Sequence, residues 1–454
     1  MAESRYVKTD VIFGFKLEEF PVGTVQLRED RESAYTLKGN NQKVEFDDTS
    51  VLQKHVLFIG ATGVGKTNAI FQLVKEIKSK MTEKDAMIIF DTKGDYLLEF
   101  YEAEKGDVAI SVNKNGYYNY QTWNIFKDII GKNENEQQIT AFEIISTLFD
   151  DAIRRSQNPF FPQAARDIAL AITLNILRKK GQNASNEDLR EIIFGGGASR
   201  IFALLNEYED TKWAAEYISP RSVAQAQGVY GELTGALYPI LKGPFGEAGT
   251  FSIKNFVSSP SKKTLFFVFG VNTSKALTPV YKVMYDLAIK EVLSRERFSG
   301  KVYFVVDEFS LLPLLNYIEN GINFGRGLGA RFIVSVQNIS QMMSAYGEYR
   351  GGGILSGFGS IIAFKLFDKS SRDFVSQRYG KHIKNLKVKN KFDSENTKQL
   401  SYVTGNVIED WDISGLKQWE AILCLPRLNP GRFTFEKYVS RKYEMYSRGN
   451  HILI

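Results

Sequence analysis

The chain has 454 residues, 43% hydrophobic and 13% aromatic, enough to bury a large core and fill two or three domains, which excludes a disordered protein. Its formal charge of +6, from 58 basic and 52 acidic residues, permits contact with nucleic acid or anionic lipid without requiring either. One cysteine, Cys424, excludes an intrachain disulfide, and with only His55, His382 and His451 beside it no Cys/His zinc cluster can form, so the chemistry falls to carboxylates, amides, bases and backbone.

The N-terminus MAESRYVKTD lacks the basic-then-apolar pattern of a signal peptide, and no run of 18 apolar residues occurs, which reads as a soluble cytoplasmic chain. Alternation in YVKTDVIFGFKLEEF and GTVQLRE predicts a small β-rich segment over residues 1–50. An apolar strand, Val56 to Ile59, then runs into GATGVGKT and a helix with Ile70, Leu73, Val74 and Ile77 at helical spacing. Residues Gly60, Ala61, Thr62, Gly63, Val64, Gly65, Lys66 and Thr67 complete the pattern G-x-x-x-x-G-K-[ST]. In that pattern the glycines turn backbone N–H groups toward an anion, the lysine reaches the terminal phosphates and the threonine hydroxyl meets Mg²⁺, so ATP and Mg²⁺ are the expected cofactors. A chance glycine-rich turn does not explain a complete match to this eight-residue pattern between a strand and a helix.

A further strand, DAMIIFDTKGD, ends at Asp91, Lys93, Gly94 and Asp95. Ligands of open α/β sheets sit at the carboxyl ends of strands, so this turn is expected to border the nucleotide or a subunit interface. Its Asp91-Thr92-Lys93 imitates the end of a metal-dependent nuclease motif, a reading set aside because of its place in the core. From about Glu134 to Glu247 helical periodicity dominates, with Ser185 as an N-cap before NEDLREII, which predicts an inserted all-α domain over 134–247 between the two parts, 51–133 and 248–454, of one nucleotide-binding domain. Arg154 and Arg155 inside it are read either as a solvated face or as a contact strip.

Strand pattern returns in KKTLFFVFG and in KVYFVVDEF, where Asp307 and Glu308 close a wholly apolar strand. A P-loop requires such a carboxylate on a second strand. Asp307 is therefore assigned to Mg²⁺ and Glu308 to the proton of the attacking water. The strand Phe332 to Val336 ends in Gln337, whose neutral amide has the place of a sensor, and Arg326 between two glycines is expected to be exposed, either as an arginine finger or as a cation at a helix terminus. Lys381, Lys384, Lys387, Lys389 and Lys391 cluster in KHIKNLKVKNKF, a solvated hairpin face or a strip for DNA or lipid. The whole alternation predicts an α/β P-loop NTPase (RecA-like) with a mainly parallel central sheet.

The series GATGVGKT, FDTKGD, NPFFPQAARDIALA, VVDEFSLLPLL, GRGLGARFIVSVQNISQMMSAYGE and LKQWEAILCLP resembles the coupling proteins of conjugative type IV secretion systems, within the HerA/FtsK superfamily of DNA-pumping ATPases, over roughly residues 50 to 440. The resemblance implies a hexameric homo-oligomer that takes DNA, or a DNA–protein complex, through a central channel by ATP hydrolysis, without sequence preference. It implies relaxase and membrane secretion-channel subunits as partners, catalysis at Lys66, Asp307 and Glu308, sensing at Gln337, and a finger at Arg326. Relatives of this kind begin with transmembrane helices, whereas about fifty β-patterned residues stand before this P-loop, so a soluble ATPase brought to the inner face of the membrane by a separate subunit, or one serving DNA processing or defence, is expected. The competing class is a nucleotide-gated platform that recruits substrate proteins and hydrolyses little.

Overall fold

In the computed structural model the described residues are 6–28, 34–114, 118–131, 133–270, 275–312, 314–389 and 398–440. They form two compact units, the first drawn from the spans Met1–Met81, Tyr303–Ser310 and Ala330–Gly449, the second from Thr82–Val302 and Leu311–Gly329.

The centre of the first unit follows from its most apolar stretches. Strand β6 (Val56–Ile59) is wholly buried and pairs in parallel with β11 (Ala330–Val336) on one side and β12 (Ser360–Ala363) on the other. Such runs, apolar on both faces, suit a strand covered above and below. The sheet in this unit continues through β10 (Val302–Val306) beyond β11. On the other side it continues through β15 (Glu420–Cys424), β16 (Gly431–Thr434) and the short β2 (Glu18–Glu19). β15 is antiparallel to both β12 and β16. The helix Lys66–Lys80 leaves β6 and buries Ile70, Leu73, Val74 and Ile77, the stripe its periodicity called for. A small sheet of β3 (Gly23–Leu27), β5 (Gln42–Phe46) and β4 (Tyr35–Gly39), in that order, is pinned where Tyr35 stacks on Phe46 at 5.8 Å. A third sheet joins β1 (Tyr6–Phe13) to the hairpin of β13 (Lys381–Lys389) and β14 (Lys398–Asn406). The N-terminal strands are thus shared out: β1 and β2 are captured by partners hundreds of residues away, and only β3 to β5 pair among themselves.

In the second unit β7 (Ala86–Asp91) and β8 (Val108–Ser111) flank β9 (Thr264–Val268), both in parallel with it. Between residues 134 and 241 the chain holds only helices, of which Glu134–Arg155, Phe160–Lys180 and Val223–Leu241 are the longest. Asn133 caps the first through its side chain, and Ser185 caps Asn186–Phe194 in a capping box with Asp188. Arg154 and Arg155 both turn to Asp151 on their own helix, the pairing expected of a solvated face. Among the described residues no helix is long and apolar enough to cross a membrane. Together these elements are the α/β P-loop NTPase fold.

Candidate nucleotide-binding site

Three strands of the first unit end together. Gly60 follows β6, Asp307 follows β10 and Gln337 follows β11, so the functional side chains gather at the carboxyl ends of neighbouring strands, where parallel sheets place their ligands. The loop between β6 and its helix turns on two left-handed glycines, Gly63 (φ +79°) and Gly65 (φ +115°), the second being the N-cap of the 15-residue helix Lys66–Lys80. The Lys66 ammonium donates to the carbonyls of Gly60 and Ala61, the latter at 2.9 Å, and so lies inside the concavity of the loop. The Thr67 hydroxyl is 3.4 Å from Asp307 Oδ1. Two hard oxygens meet there with a cation and a helix N-terminus. This donor set fits a nucleoside triphosphate with Mg²⁺, since Mg²⁺ takes oxygen ligands and polyphosphate takes backbone N–H groups and a lysine.

Glu308 and Gln337 touch. Gln337 donates from Nε2 to Glu308 Oε2 at 2.8 Å, and Ser310 Oγ donates to Glu308 Oε1 at 2.6 Å. One carboxylate is therefore oriented from both sides, by a strand end and by the turn that follows its own strand.

The loop between residues 417 and 420, inside the segment LKQWEAILCLP, presses on the P-loop, a contact no spacing announced. Trp419 N donates to Val64 O at 2.8 Å and Gln418 Nε2 to Gly63 O at 3.3 Å. A Cβ on Gly65 would stand 2.7 Å from the indole Cδ1 of Trp419. A second strap runs along the helix: Asn68 exchanges hydrogen bonds with Glu436 O and Tyr438 N, and Gln72 donates to Glu436 O at 2.7 Å. These contacts join residues more than 350 positions apart in sequence, where no spacing rule reaches.

Other expected residues stand elsewhere. Arg326 belongs to the second unit, where the helix Ile318–Phe324 ends at Gly325, and it is half-buried, not exposed as its glycine neighbours implied. Leu328 N donates to Gly325 O and folds the chain back over this turn. Arg331, five residues on, is buried and grips Asp48 with two bonds of 2.8 and 2.6 Å, a structural fork. Asp91 is buried at the end of β7 and accepts from the N–H groups of Lys93, Gly94 and Leu97, so its carboxylate organises its own turn. Lys381, Lys384, Lys387 and Lys389 lie on β13, while Lys391 and His451 lie outside the described residues. Among the described residues no group of three or more His, Cys, Asp or Glu is placed to hold a metal.

Residues 44–427 match the family model of the type IV secretion-system coupling protein DNA-binding domain. The chain belongs to this family. Among solved structures, this coupling-protein chain is similar to the bacterial conjugative coupling protein TrwBdeltaN70 in its trigonal form with sulphate. That likeness has a TM-score of 0.71 at 18% identity and covers 96% of this chain and 97% of that one. TrwB in complex with the non-hydrolysable ATP analogue ADPNP gives a TM-score of 0.69 at 17% identity, with 97% and 96% covered. VirB4 of Thermoanaerobacter pseudethanolicus follows at a TM-score of 0.54 and 13% identity, covering 91% and 99%. At these identities the likeness is one of fold. No curated protein matches the chain.

Proposed function

We propose that this coupling-family chain is an ATP-driven translocase that moves DNA, or a DNA–protein complex, through a homo-oligomeric ring of six copies in conjugative transfer. The observation that carries the proposal is the meeting of Lys66, Thr67, Asp307, Glu308 and Gln337 at the ends of three adjacent strands, in a chain of the coupling family. That TrwB structures contain ADPNP, or ADP and Mg²⁺, supports ATP and Mg²⁺ as the cofactors.

In the proposed reaction Gly60 to Thr67 hold the phosphates and Lys66 exchanges the loop carbonyls for phosphate oxygens. Thr67 and Asp307 hold Mg²⁺, which supplies charge neutralisation at the transferred phosphoryl group. Glu308, aimed by Gln337 and Ser310, accepts the proton of the water that attacks the γ-phosphorus, and ADP leaves with the electron pair of the broken P–O bond. Gln337 reports the state of that carboxylate to β11, to which it is joined. Arg326 is assigned to the site of a neighbouring copy, and residues 134–247 to an inserted domain that meets the substrate. Relaxase and membrane secretion-channel subunits are the assigned partners.

Steady-state hydrolysis, with and without single-stranded and double-stranded DNA, tests this reading. Turnover that rises with DNA and disappears in Lys66→Ala supports the motor. Turnover indifferent to DNA while nucleotide still binds transfers the chain to the recruitment-platform class.

A further inference from the structure

The sheet of β1, β13 and β14 has no part in the nucleotide site. Its composition is extreme: the three strands hold six lysines and one aspartate, so they carry a net +5 of the +6 on the whole chain. Among the described side chains, Ile12, Phe13, Ile383, Tyr402 and Val403 are exposed. Phe13 pairs with Ile383 across β1 and β13, and Asn385 with Tyr402 across β13 and β14. Strand alternation therefore sets Phe13, Lys381, Ile383 and Tyr402 on one face. Phe13 is 73% exposed and Tyr402 69%, with Ile383 at 37%. Ile12, next to last in β1, is 54% exposed, and Phe15, past the end of β1 beside the exposed Lys16, is 50%. The opposite face is anchored at His382, which is buried and meets Phe15 O through Nδ1 at 3.2 Å.

We propose that this face docks the protein directly on an anionic phospholipid surface. Large apolar side chains standing out between lysines are what an interfacial contact requires: the rings and aliphatic groups enter the boundary between headgroups and acyl chains, and the ammonium groups remain at the phosphates. Nucleic acid fits less well. Single strands are held by flat rings that stack on bases, and the aliphatic Ile12 and Ile383 gain nothing from stacking. A second copy presenting the same face fits worse, because it would set Lys16 and Lys381 of one copy against those of the other.

The test is flotation of the full chain with vesicles of phosphatidylcholine alone or mixed with phosphatidylglycerol, at low and at high salt. Binding is expected to the mixed vesicles and to fall with salt. Removing two lysines, in Lys16→Ser/Lys381→Ser, should weaken it about 25-fold, at about fivefold for each lysine near the surface. The second variant, Phe13→Ser/Tyr402→Ser, should weaken it at least tenfold at either salt concentration. Unchanged hydrolysis and circular dichroism would show that both variants fold. Equal binding to neutral vesicles, or wild-type binding by both variants, overturns the proposal. So does vesicle-independent capture of a single-stranded oligonucleotide lost in the same variants, which makes the face a DNA strip. Self-association lost in Phe13→Ser/Tyr402→Ser, with no vesicle binding, overturns it in favour of an interface between copies.

Discussion

Gly65→Ala should unseat the P-loop through a residue that lies 354 positions downstream in sequence, Trp419. Gly65 holds φ +115° and a Cβ there would meet Trp419 at Cδ1 (2.7 Å), Cα (3.2 Å) and N (3.3 Å). The left-handed backbone alone costs an L-residue about 1–2 kcal/mol. The crowding adds roughly 1–3 kcal/mol, because two of the three atoms are backbone, held by the bond from Trp419 N to Val64 O, and cannot swing away. Gly63 supplies the control: it is also left-handed, at φ +79°, yet nothing lies within 4 Å of its Cβ position. Urea unfolding without nucleotide, followed by far-ultraviolet circular dichroism, should show Gly65→Ala destabilised beyond Gly63→Ala by about 1–3 kcal/mol. In a Trp419→Ala background the excess should shrink, since the indole is removed while the Trp419 backbone stays. Equal costs for Gly63→Ala and Gly65→Ala would refute the clamp.

Glu308→Gln should keep nucleotide affinity within a few fold and lower kcat by about 10²–10⁴, because the amide preserves shape but accepts no proton; equilibrium binding and single-turnover hydrolysis separate the two effects. Arg331→Ala should cost about 3–5 kcal/mol in thermal stability by stranding Asp48, whose side chain is only 15% exposed beside an arginine at 3%; a variant that is stable but inactive would contradict the structural assignment. Mixing Arg326→Ala with Glu308→Gln protein should restore turnover if Arg326 serves a neighbouring copy, since a hybrid interface joins an intact arginine to an intact base. Co-assembled mixtures as inactive as either variant would end that assignment. Burial pushes the Cys424 thiol up to about 12, so at pH 8 only about one molecule in ten thousand is thiolate. A thiol reagent should leave the native chain untouched and modify one group after unfolding.

What the sequence determined by itself was local and dense. The P-loop needs eight consecutive residues, its helix follows a 3.6-residue stripe, and Asp307, Glu308 and Gln337 each close an apolar strand. Those signals survive without coordinates because each depends on neighbours within a turn or a strand. Tertiary structure decided which strand ends stand side by side, and so which side chains meet: Gln337 with Glu308, Thr67 with Asp307. It also decided what the glycines around Arg326 left open, and the answer, a half-buried side chain in a folded-back turn, depends on packing that spacing does not encode. Asp91 followed the same rule, since a carboxylate at a strand end is free for a ligand only if its own turn does not claim it, and here three N–H groups do. The clamp of Trp419 on Val64 and the capture of β1 by β13 join segments separated by more than 350 residues. Their partners are chosen by tertiary packing of distant segments, so no window along the chain contains the information that pairs them.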